Sequence, residues 1–272
     1  MNIAVYIGVD DHVSDPRVVS LMNELEKGGC RTYPVSSPQD LVEGTDMLMS
    51  IAGDGTFLRA ATMVFSRHIP VVGVNLGRMG FLSENRPEDV AGALPAEDYT
   101  IETRAMLKAE VCTGSREIDE FPFALNEMSV RRCGAAMLCV DVCIDGIKLP
   151  AYWGDGLVIS TSSGSTAYSL SVGGPIALPE SKVFIISPIA PHNLNMRPLV
   201  VPYTSEITLA MHTRDGSFEF SADNRTAVVP ADTSVTIGVA QFSLNRVRLN
   251  TSNFIQALTE KLYWGEDVRN IR

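Results

Sequence analysis

The chain has 272 residues, of which 45% are hydrophobic and 20% are charged, and its formal net charge is −10. These values indicate one large or two modest globular domains and argue against a nucleic-acid surface, because neutralising phosphates requires clustered Lys and Arg. No apolar run approaches the ~18 residues of a membrane-spanning helix, and acidic residues at 10, 11 and 15 interrupt any signal-peptide pattern. We therefore expect a cytoplasmic protein without nucleic-acid or membrane partners.

Neither the cysteines nor the histidines show the spacing of a metal site. The five cysteines contain no CxxC pair, and the four histidines contain no HxxxH pair. We interpret the cysteines as reduced packing residues and do not expect a zinc site. GxGxxG and GxxxxGK[ST] are also missing, so the usual sequence evidence for a Rossmann dehydrogenase or a Walker-type NTPase is lacking.

Strand and helix patterns alternate along the first hundred residues. Pro16 at the first helical position, after the N-cap candidate Asp15, predicts a helix that ends at Gly28 and Gly29. Further predicted strands are residues 3–8, 47–51 and 71–75, and further predicted helices are residues 56–66 and 87–94. This alternation predicts an α/β unit with a parallel sheet, in which ligands bind at the carboxyl ends of the strands.

The run Gly53-Asp54-Gly55-Thr56 lies between a predicted buried strand and a predicted helix. Its two glycines lack the Cβ atoms that would keep a ligand from the backbone, and the helix start offers N–H groups to an anion. A carboxylate beside a polyphosphate is repelled unless it accepts a proton or binds a metal, so we interpret Asp54 as a base or a Mg²⁺ ligand. The alternative is an ordinary strand-turn-helix junction with Asp54 as N-cap.

From about residue 99 the pattern changes to short β-branched or alternating runs between turns, for example residues 107–112, 138–144 and 233–239. These runs predict a β-rich domain. Residues 253–264 predict a last helix with Ser252 as N-cap and one apolar face. We expect an N-terminal Rossmann-like α/β domain with a parallel sheet, residues 1–98 with 252–272, onto which the last helix returns. Residues 99–251 are expected to form a β-rich, sandwich-like domain.

The densest set of hydroxyl and glycine residues lies between residues 153 and 175. So many hydroxyls do not fill a core, and the stretch is longer than a turn requires, so we expect it to line a polar pocket. Tyr168 and the apolar flanks indicate an ordered segment that holds a ring system. A flexible Ser/Gly loop is the alternative. Asn126 and Glu127 add an amide and a carboxylate suited to a ribose or an adenine edge.

Together these segments resemble the NAD kinase family over nearly the whole chain and in the same order. The matching motifs are Gly53-Asp54-Gly55-Thr56, Asn75-Leu76-Gly77, Gly80-Phe81-Leu82, Asn126-Glu127, Gly154-Asp155-Gly156-Leu157, Gly164-Ser165-Thr166-Ala167-Tyr168, Gly173-Gly174-Pro175, residues 187–192 and Ser221-Ala222-Asp223. Phosphofructokinases and diacylglycerol or sphingosine kinases share the first motif, whereas the motifs of the second domain are more specific.

The resemblance implies transfer of the γ-phosphoryl group of ATP to the 2′-hydroxyl of the adenosine ribose of NAD, which yields NADP. It implies that Asp54 orients or deprotonates this hydroxyl. Phosphate-binding backbone is implied at Gly53, Gly55 and Thr56. The residues implied for NAD binding are Gly55, Phe81, Asn126, Glu127, Asp155, Thr166, Ala167, Tyr168, Ser171 and Asp223. Mg²⁺ or another divalent metal would be carried by the nucleotide, with no protein ligand firmly assigned.

Within this set the resemblance implies more specific roles. Asn126 and Glu127 would bind the adenosine part, and Phe81 would border the adenine. Asp155 would hydrogen-bond the nicotinamide end, either in its own subunit or across a subunit interface. Asp223 corresponds to a carboxylate near the reacting ribose.

Three residues depart from the family pattern. Ala52 stands where a glycine is usual, and alanine is tolerable only if its φ is negative. Ser162 stands where a proline is usual, and Trp153 stands where several members have an arginine or another polar residue. Because Trp153 cannot neutralise a phosphate, the cation that meets the 2′-phosphate of the product stays open, with Arg197 or a residue of a neighbouring subunit as candidates.

Two other functions remain open at this point. A kinase of another hydroxyl acceptor, such as a lipid or a sugar, would use the same turn but would have no use for Asn126 and Glu127. A non-catalytic NAD(P)-binding sensor would gain nothing from Asp54 beside phosphates. Family members form dimers or tetramers, so we expect a homodimer or homotetramer. The sequence does not determine whether ATP, another triphosphate or polyphosphate is the preferred donor.

Overall fold

The computed structural model of the chain describes residues 1–8, 10–77 and 80–262. The strands are β1 (Asn2–Ile7), β2 (Arg31–Pro34), β3 (Met47–Ile51), β4 (Val71–Val74), β5 (Tyr99–Glu110), β6 (Phe123–Ala124), β7 (Glu127–Arg132), β8 (Leu138–Ile144), β9 (Ile147–Lys148), β10 (Tyr152–Gly154), β11 (Gly156–Thr161), β12 (Val183–Ile189), β13 (Leu199–Pro202), β14 (Ile207–His212), β15 (Ser217–Ala222), β16 (Arg225–Pro230) and β17 (Val235–Leu249). The α-helices are α1 (Pro16–Lys27), α2 (Asp54–Val64), α3 (Pro87–Ala93), α4 (Arg116–Asp119), α5 (Tyr168–Ser171) and α6 (Phe254–Leu262), and short 3-10 helices span Asp10–Ser14, Pro38–Asp40, Phe65–Arg67 and Ser163–Thr166. The chain divides into two compact units, Met1–Thr103 with Leu244–Arg272, and Arg104–Ser243.

The first unit contains a parallel sheet in the order β2-β1-β3-β4, to which the end of β17 adds beside β4. The strands β3 and β4 are buried throughout, as expected for apolar strands covered on both faces. The α/β expectation for this part of the chain is therefore confirmed.

Helix α1 follows the start and stop signals of its sequence. Asp15 caps it by accepting the N–H of Arg17 at 2.8 Å, Pro16 is its first residue, and Gly28 is its C-cap. Its buried face, Val18, Leu21 and Leu25, belongs to the same core as strands β1, β3 and β4. The 3.6-residue spacing of that apolar face is the reason why the sequence predicts the helix correctly.

The second unit is a β-sandwich. One sheet is antiparallel in the order β13-β12-β11-β7-β15-β16, and the other contains β10, β8, β14 and the first part of β17. Alternate residues of both sheets meet in one core, for example Val130, Leu157 and Phe220 from the first and Val140 and Leu209 from the second. The expectation of a β-rich, sandwich-like part is confirmed.

Helix α6 belongs to the first unit, as expected. Its N-cap differs from the prediction, because Asn253 Oδ1 accepts the N–H groups of Ile255 at 2.9 Å and Gln256 at 3.4 Å. Ser252 instead hydrogen-bonds to Asn85 at 3.2 Å. The last two residues of the predicted helix, 263 and 264, lie outside the described residues.

Two other boundaries differ from the prediction. Helix α2 starts at residue 54 instead of 56, because the turn itself supplies the first helical residues. The strand predicted at 233–239 is the first part of β17, which continues to Leu249. None of the described helices combines the length and the apolar composition that spanning a bilayer requires.

Candidate functional site

The turn Gly53-Asp54-Gly55-Thr56 lies at the carboxyl end of a central strand of the parallel sheet. Ile51, the last residue of β3, is aligned with Ile7 of β1 and with Val74 of β4. The turn therefore follows at the edge where open α/β sheets bind their ligands. The N-cap of α2 is Gly53, and Asp54 is the first helical residue, so the alternative interpretation of Asp54 as N-cap is wrong.

Neither packing within the protein nor backbone conformation requires a glycine at position 53 or 55. A Cβ built on either residue would meet no protein atom within 4 Å, and neither residue has a positive φ. The N–H groups of Thr56 and Phe57 donate to Gly53 O at 3.0 and 3.1 Å. The backbone N–H groups that remain available at the start of α2 are therefore those of the residues before Thr56. The missing side chains leave this backbone accessible to an anion.

Ala52 corrects one expectation about this turn. Its φ is +153°, a region that glycine adopts freely and other residues adopt only under strain. The condition that its φ be negative is therefore not met. The backbone keeps the conformation because Ala52 N–H donates to Val74 O at 3.0 Å while Ile51 is held in the sheet.

Replacing Ala52 with glycine is expected to stabilise the protein. The strained backbone of Ala52 costs about 1–3 kcal/mol, which glycine would relieve. Against this, glycine adds roughly 0.4–1 kcal/mol of backbone entropy to the unfolded chain and loses about 0.8 kcal/mol from one buried methyl group. We place the strain in the upper part of its range, so that its relief is the larger effect. We expect a gain of about 1 kcal/mol, seen as a Tm higher by about 2–4 °C. The matched control is Ala91→Gly in α3, which should lower the Tm; a lower Tm for Ala52→Gly would contradict the strain.

The carboxylate of Asp54 binds three consecutive backbone amides. Oδ2 accepts the N–H of Phe81 at 2.9 Å, and Oδ1 accepts those of Leu82 at 3.1 Å and Ser83 at 2.8 Å. A carboxylate offers about four acceptor positions, so one position remains, on Oδ2. Asp54 can therefore hold the segment 80–83 and still accept one hydroxyl proton.

Gly80 makes this arrangement possible. A Cβ at this position would lie 1.8 Å from Asp54 Oδ1, so only glycine lets the segment approach the carboxylate. The next residue, Phe81, is half-buried, and its ring centroid lies 5.9 Å from that of Phe254 in α6. The backbone of Phe81 is thus hydrogen-bonded to Asp54, and its ring packs against α6.

In the second unit, Asn126 and Glu127 have buried oxygen atoms without partners. Asn126 Oδ1 and Glu127 Oε2 accept no hydrogen bond from the protein. Leaving a buried polar atom unpaired costs about 1–3 kcal/mol, and native proteins retain few of them. Such atoms point to a ligand whose polar groups pair with them.

Asp223 holds the backbone of these two residues. Its carboxylate accepts the N–H groups of Leu125 at 2.9 Å, Asn126 at 2.8 Å and Glu127 at 3.2 Å, and its own N–H donates to Glu127 O at 2.9 Å. With a φ of +51°, Asp223 is in the left-handed region. In this structure its carboxylate orients Asn126 and Glu127, just as Asp54 orients residues 81–83.

Burial raises the pKa of Glu127 to about 8, and the nearby Asp223 carboxylate acts in the same direction. Burial also raises the pKa of Asp223, which the amides of Leu125 and Asn126 and the Arg225 guanidinium oppose. Glu127 is therefore protonated at neutral pH in the free protein, and its carboxyl group can donate as well as accept.

The raised pKa of Glu127 predicts a pH-dependent stability. Between its ordinary pKa of 4.5 and about 8, the unfolded chain releases this proton and the folded chain keeps it, so wild-type stability falls as pH rises through this interval. Glu127→Gln cannot ionise and should escape that loss, with a Tm at pH 8.5 higher than wild type by at least about 2 °C. At pH 4.5 the two proteins should be alike.

Thermal unfolding at pH 4.5, 6.5 and 8.5 checks this, with Glu43→Gln at an exposed site as the control. A constant difference between wild type and Glu127→Gln at all three pH values would contradict the raised pKa.

The hydroxyl-rich stretch packs beside Asn126. Thr161 Oγ1 donates to Leu125 O at 2.6 Å and accepts the N–H of Gly164 at 3.1 Å. A Cβ on Gly164 would lie 2.1 Å from Asn126 O, so this glycine permits close approach. The stretch is ordered as a 3-10 turn followed by α5, so the alternative of a flexible loop is not supported.

The remaining predicted NAD-binding residues of this stretch lie in and between these two short helices. Thr166 Oγ1 donates to Ser163 O at 3.4 Å, Ala167 connects the helices, and Ser171 is exposed at the end of α5. The backbone of Tyr168 contacts the Glu127 carboxyl group, and Arg131 lies 5.9 Å from the Tyr168 ring centroid. The fold thus brings Tyr168 together with Asn126, Glu127 and Asp223.

Asp155 is not part of this cluster. It precedes β11, whereas Glu127 pairs with Ser160 near the other end of that strand. Asp155 lies five residues before Ser160, which corresponds to roughly 16 Å along an extended strand. Asp155 forms an ion pair with Arg132, Nε to Oδ1 at 2.6 Å, and its side chain is 41% exposed.

The structure gives Ser162 a local role, but it does not explain Trp153, and it places Arg197, the candidate cation, in its own loop. Ser162 is buried and donates to Pro179 O at 2.9 Å. Trp153 is 47% exposed. Arg197 donates to the carbonyls of Leu194 and Met196 at 2.6 and 2.7 Å, so its guanidinium binds its own loop.

Two functional candidates were missed in the sequence. Arg246 and Lys261 both contact the segment that Asp54 holds. Lys261 follows Phe254 by seven residues and Leu258 by three, so it falls on the apolar face of α6. A lysine on an apolar face was the available signal.

Within the described residues, no group of three or more His, Cys, Asp or Glu side chains could hold a metal ion. The carboxylate of Asp54 has one open acceptor position left. A divalent cation at this turn would therefore need most of its ligands from phosphates and water, which is how Mg²⁺ is commonly bound.

The sequence of the chain matches models and members of one protein family. Residues 20–97 match the model of the ATP-NAD kinase N-terminal domain, and residues 125–249 match that of the ATP-NAD kinase C-terminal domain. An NAD kinase of Flavobacterium psychrophilum is 42% identical over 239 residues, which cover 86% of this chain and 81% of that protein. One from Porphyromonas gingivalis is 42% identical over 233 residues, covering 84% and 80%. The chain belongs to the NAD kinase family.

Solved structures agree with this assignment. An NAD kinase from Archaeoglobus fulgidus in complex with ATP superposes with a TM-score of 0.79 at 26% identity, covering 97% of this chain and 99% of that one. A yeast NADH kinase complexed with NADH has a TM-score of 0.84 at 20% identity, covering 100% and 90%, and it supports the fold alone. In this NAD kinase family member, the turn with Asp54 lies in the first matched region and Asn126 to Asp223 lie in the second. Helix α6 lies after both matched regions in the sequence.

Proposed function

We propose that the protein transfers the γ-phosphoryl group of ATP to the 2′-hydroxyl of the adenosine ribose of NAD and so forms NADP. The curated relatives at 42% identity are named NAD kinases. The observation that carries the proposal is the pair of buried, unpartnered oxygens on Asn126 and Glu127. A ribose hydroxyl both donates and accepts, and an adenine edge carries an amine donor beside ring-nitrogen acceptors, so either can pair with Asn126 Oδ1 and with the protonated Glu127 carboxyl group.

In the proposed reaction, Asp54 acts at its open Oδ2 position. The 2′-hydroxyl oxygen forms a bond to the γ-phosphorus, the bond from that phosphorus to the β,γ-bridging oxygen breaks, and ADP leaves. The hydroxyl proton passes to Asp54. Because phosphoryl transfer depends on positioning and charge stabilisation, the three amides that fix Asp54 in place are part of its role.

The donor phosphates are proposed to lie against the backbone of Gly53 and Gly55, with Thr56 beside them, although the N–H of Thr56 already donates to Gly53 O. The open space beside both glycines supports this role, as does the positive end of the α2 dipole. Mg²⁺ or another divalent cation would arrive with the triphosphate as part of the substrate and neutralise its charge.

The proposed acceptor site uses Asn126 and Glu127 for the adenosine, Phe81 beside the adenine, and Thr166, Ala167, Tyr168 and Ser171 for the rest of the dinucleotide. Asp223 is proposed to act near the reacting ribose by orienting Asn126 and Glu127. Asp155 is proposed to hydrogen-bond the nicotinamide end of NAD, in its own subunit or across a subunit interface, at a point roughly 16 Å along the strand from Glu127. We also propose a cytoplasmic homodimer or homotetramer.

The test is NADP formation by the purified chain from NAD, ATP and Mg²⁺, read through an NADP-specific dehydrogenase. Polyphosphate and other triphosphates replace ATP in parallel reactions, and NADH replaces NAD. NADP formation supports the proposal. Binding of NAD without turnover with any donor would instead support a non-catalytic NAD(P)-binding sensor, and phosphorylation of a lipid or sugar without NADP formation would support the other kinase.

A further inference from the structure

The segment Gly80–Glu84 is bound by charged side chains from three elements of the first unit. Asp54 of α2 accepts the N–H groups of residues 81–83. Arg246 of β17 is 3% exposed and donates to Leu82 O at 3.3 Å and to Glu84 Oε1 at 2.6 Å. Lys261 of α6 donates to Gly80 O.

Lys261 and Asp54 bind opposite ends of one peptide group. The carbonyl of Gly80 accepts from Lys261 Nζ, and the N–H of the same peptide, on Phe81, donates to Asp54 Oδ2. A cation on a carbonyl oxygen polarises the peptide and strengthens donation by its N–H, because hydrogen bonds in a chain reinforce one another. The affected oxygen, Oδ2, is the one with the open acceptor position.

The side chain of Lys261 is half-buried. Its Nζ lies 4.5 Å from the Phe81 ring centroid, a distance at which an ammonium group is attracted to an aromatic face. Lysine is among the residues least often buried without a partner. Burial lowers the pKa of Lys261, while Glu84 and Asp54 oppose that shift.

The charged groups that face Lys261 come from several elements. They are Asp54 of α2, Glu84 of the bound segment, Arg246 of β17 and Glu260 of α6. Lys261 also lines a cavity of about 820 Å³ together with Arg17, Asn75, Phe81, Arg86 and Glu88. Two of its three N–H groups are not needed for Gly80.

We propose that Lys261 is a positioning residue for Asp54, holding the Gly80–Phe81 peptide from its carbonyl side while the Asp54 carboxylate holds it from its N–H side. This role rests on the proposed function, in which Oδ2 receives the hydroxyl proton. A displacement of about 1 Å at such a group can lower a rate by ~10²-fold. Lys261 lies beyond both regions matched by the family models.

The test compares Lys261→Met with Lys261→Arg, using Lys27→Met at a side chain that is 72% exposed as the matched control. Lys261→Met keeps the length of the side chain without its charge. It should lower kcat for NADP formation by at least about 10-fold while changing the KM for NAD by less than about 3-fold. Lys261→Arg should recover most of kcat, and Lys27→Met should match wild type.

A second readout does not depend on turnover. Hydrogen exchange of the Phe81 amide should be at least about 10-fold faster in Lys261→Met than in wild type and close to wild type in Lys261→Arg. Wild-type kcat should also fall at alkaline pH as Lys261 loses its proton, and Lys261→Arg should not show this fall, because arginine stays charged.

These readouts separate the two proposals. If wild type forms no NADP but Phe81 exchange responds as expected, the proposed function fails and the anchoring by Lys261 stands. Unchanged kcat and unchanged Phe81 exchange in folded Lys261→Met would overturn the role, as would equal losses in the Met and Arg variants. Should Lys261→Met fail to fold, the alkaline pH profiles of wild type and Lys261→Arg decide, and identical profiles would overturn the role.

Discussion

Asp54→Asn is expected to lower kcat for NADP formation by at least about 10²-fold. Asparagine is nearly the same size, but its amide cannot accept the proton of the attacking hydroxyl. The single open acceptor position of Asp54 is on Oδ2, and an NH₂ group there would face the substrate as a donor. Steady-state kinetics with NAD and ATP measure the effect.

The structure adds a second consequence to this substitution. An Asn side chain would place its NH₂ group against at least one of the N–H donors of residues 81–83, which leaves a donor unpaired at about 1–3 kcal/mol. The control is Asp40→Asn, which removes a carboxylate that accepts the N–H groups of Ser36 and Ser37 at 2.8 Å each. Asp40→Asn should lower the Tm and leave kcat near wild type. A kcat for Asp54→Asn within about 3-fold of wild type would contradict the base role.

Gly80→Ala is expected to lower kcat by at least about 10-fold with the Asp54 carboxylate still present. The added Cβ would lie 1.8 Å from Asp54 Oδ1 and 2.2 Å from its Cγ, so the carboxylate or the segment must move. Either movement breaks the alignment with the amides of Leu82 and Ser83. NAD binding, measured by titration calorimetry, should be weakened less than kcat.

The matched control for Gly80→Ala is Gly92→Ala in α3, where a Cβ would meet no atom within 4 Å. That substitution should leave kcat unchanged and raise the Tm slightly, because alanine is favoured over glycine in a helix. Wild-type kcat in folded Gly80→Ala would show that the approach of Gly80 to Asp54 is not needed for turnover.

Much of the fold could be predicted from local signals. Asp15, Pro16 and Gly28 mark both ends of α1, and the apolar run at residues 47–51 coincides with β3. Such signals work because capping, glycine termination and apolar periodicity act over a few residues. The ends of α2 and β17 were predicted less well, because the turn at Gly53 and the pairing of Arg246 with Val71 depend on neighbours distant in sequence.

The candidate site shows the same division. The motif around Asp54 and the pair Asn126 and Glu127 can be recognised from residue type and order. Their partners cannot, because Asp223 reaches residues 125–127 across almost a hundred positions. The strained φ of Ala52 is likewise set by the sheet, against the local preference of alanine.

The sequence by itself determined the class of fold, the family and the residue types of the chemistry, because spacing and composition carry that information locally. Only the tertiary structure decided what each carboxylate does. It showed that Asp54 and Asp223 each bind three amides, that one acceptor position on Asp54 stays open, and that Lys261 shares a peptide group with Asp54. These properties depend on which lone pairs and N–H groups remain without a partner after folding. That is decided only when segments distant in sequence come into contact.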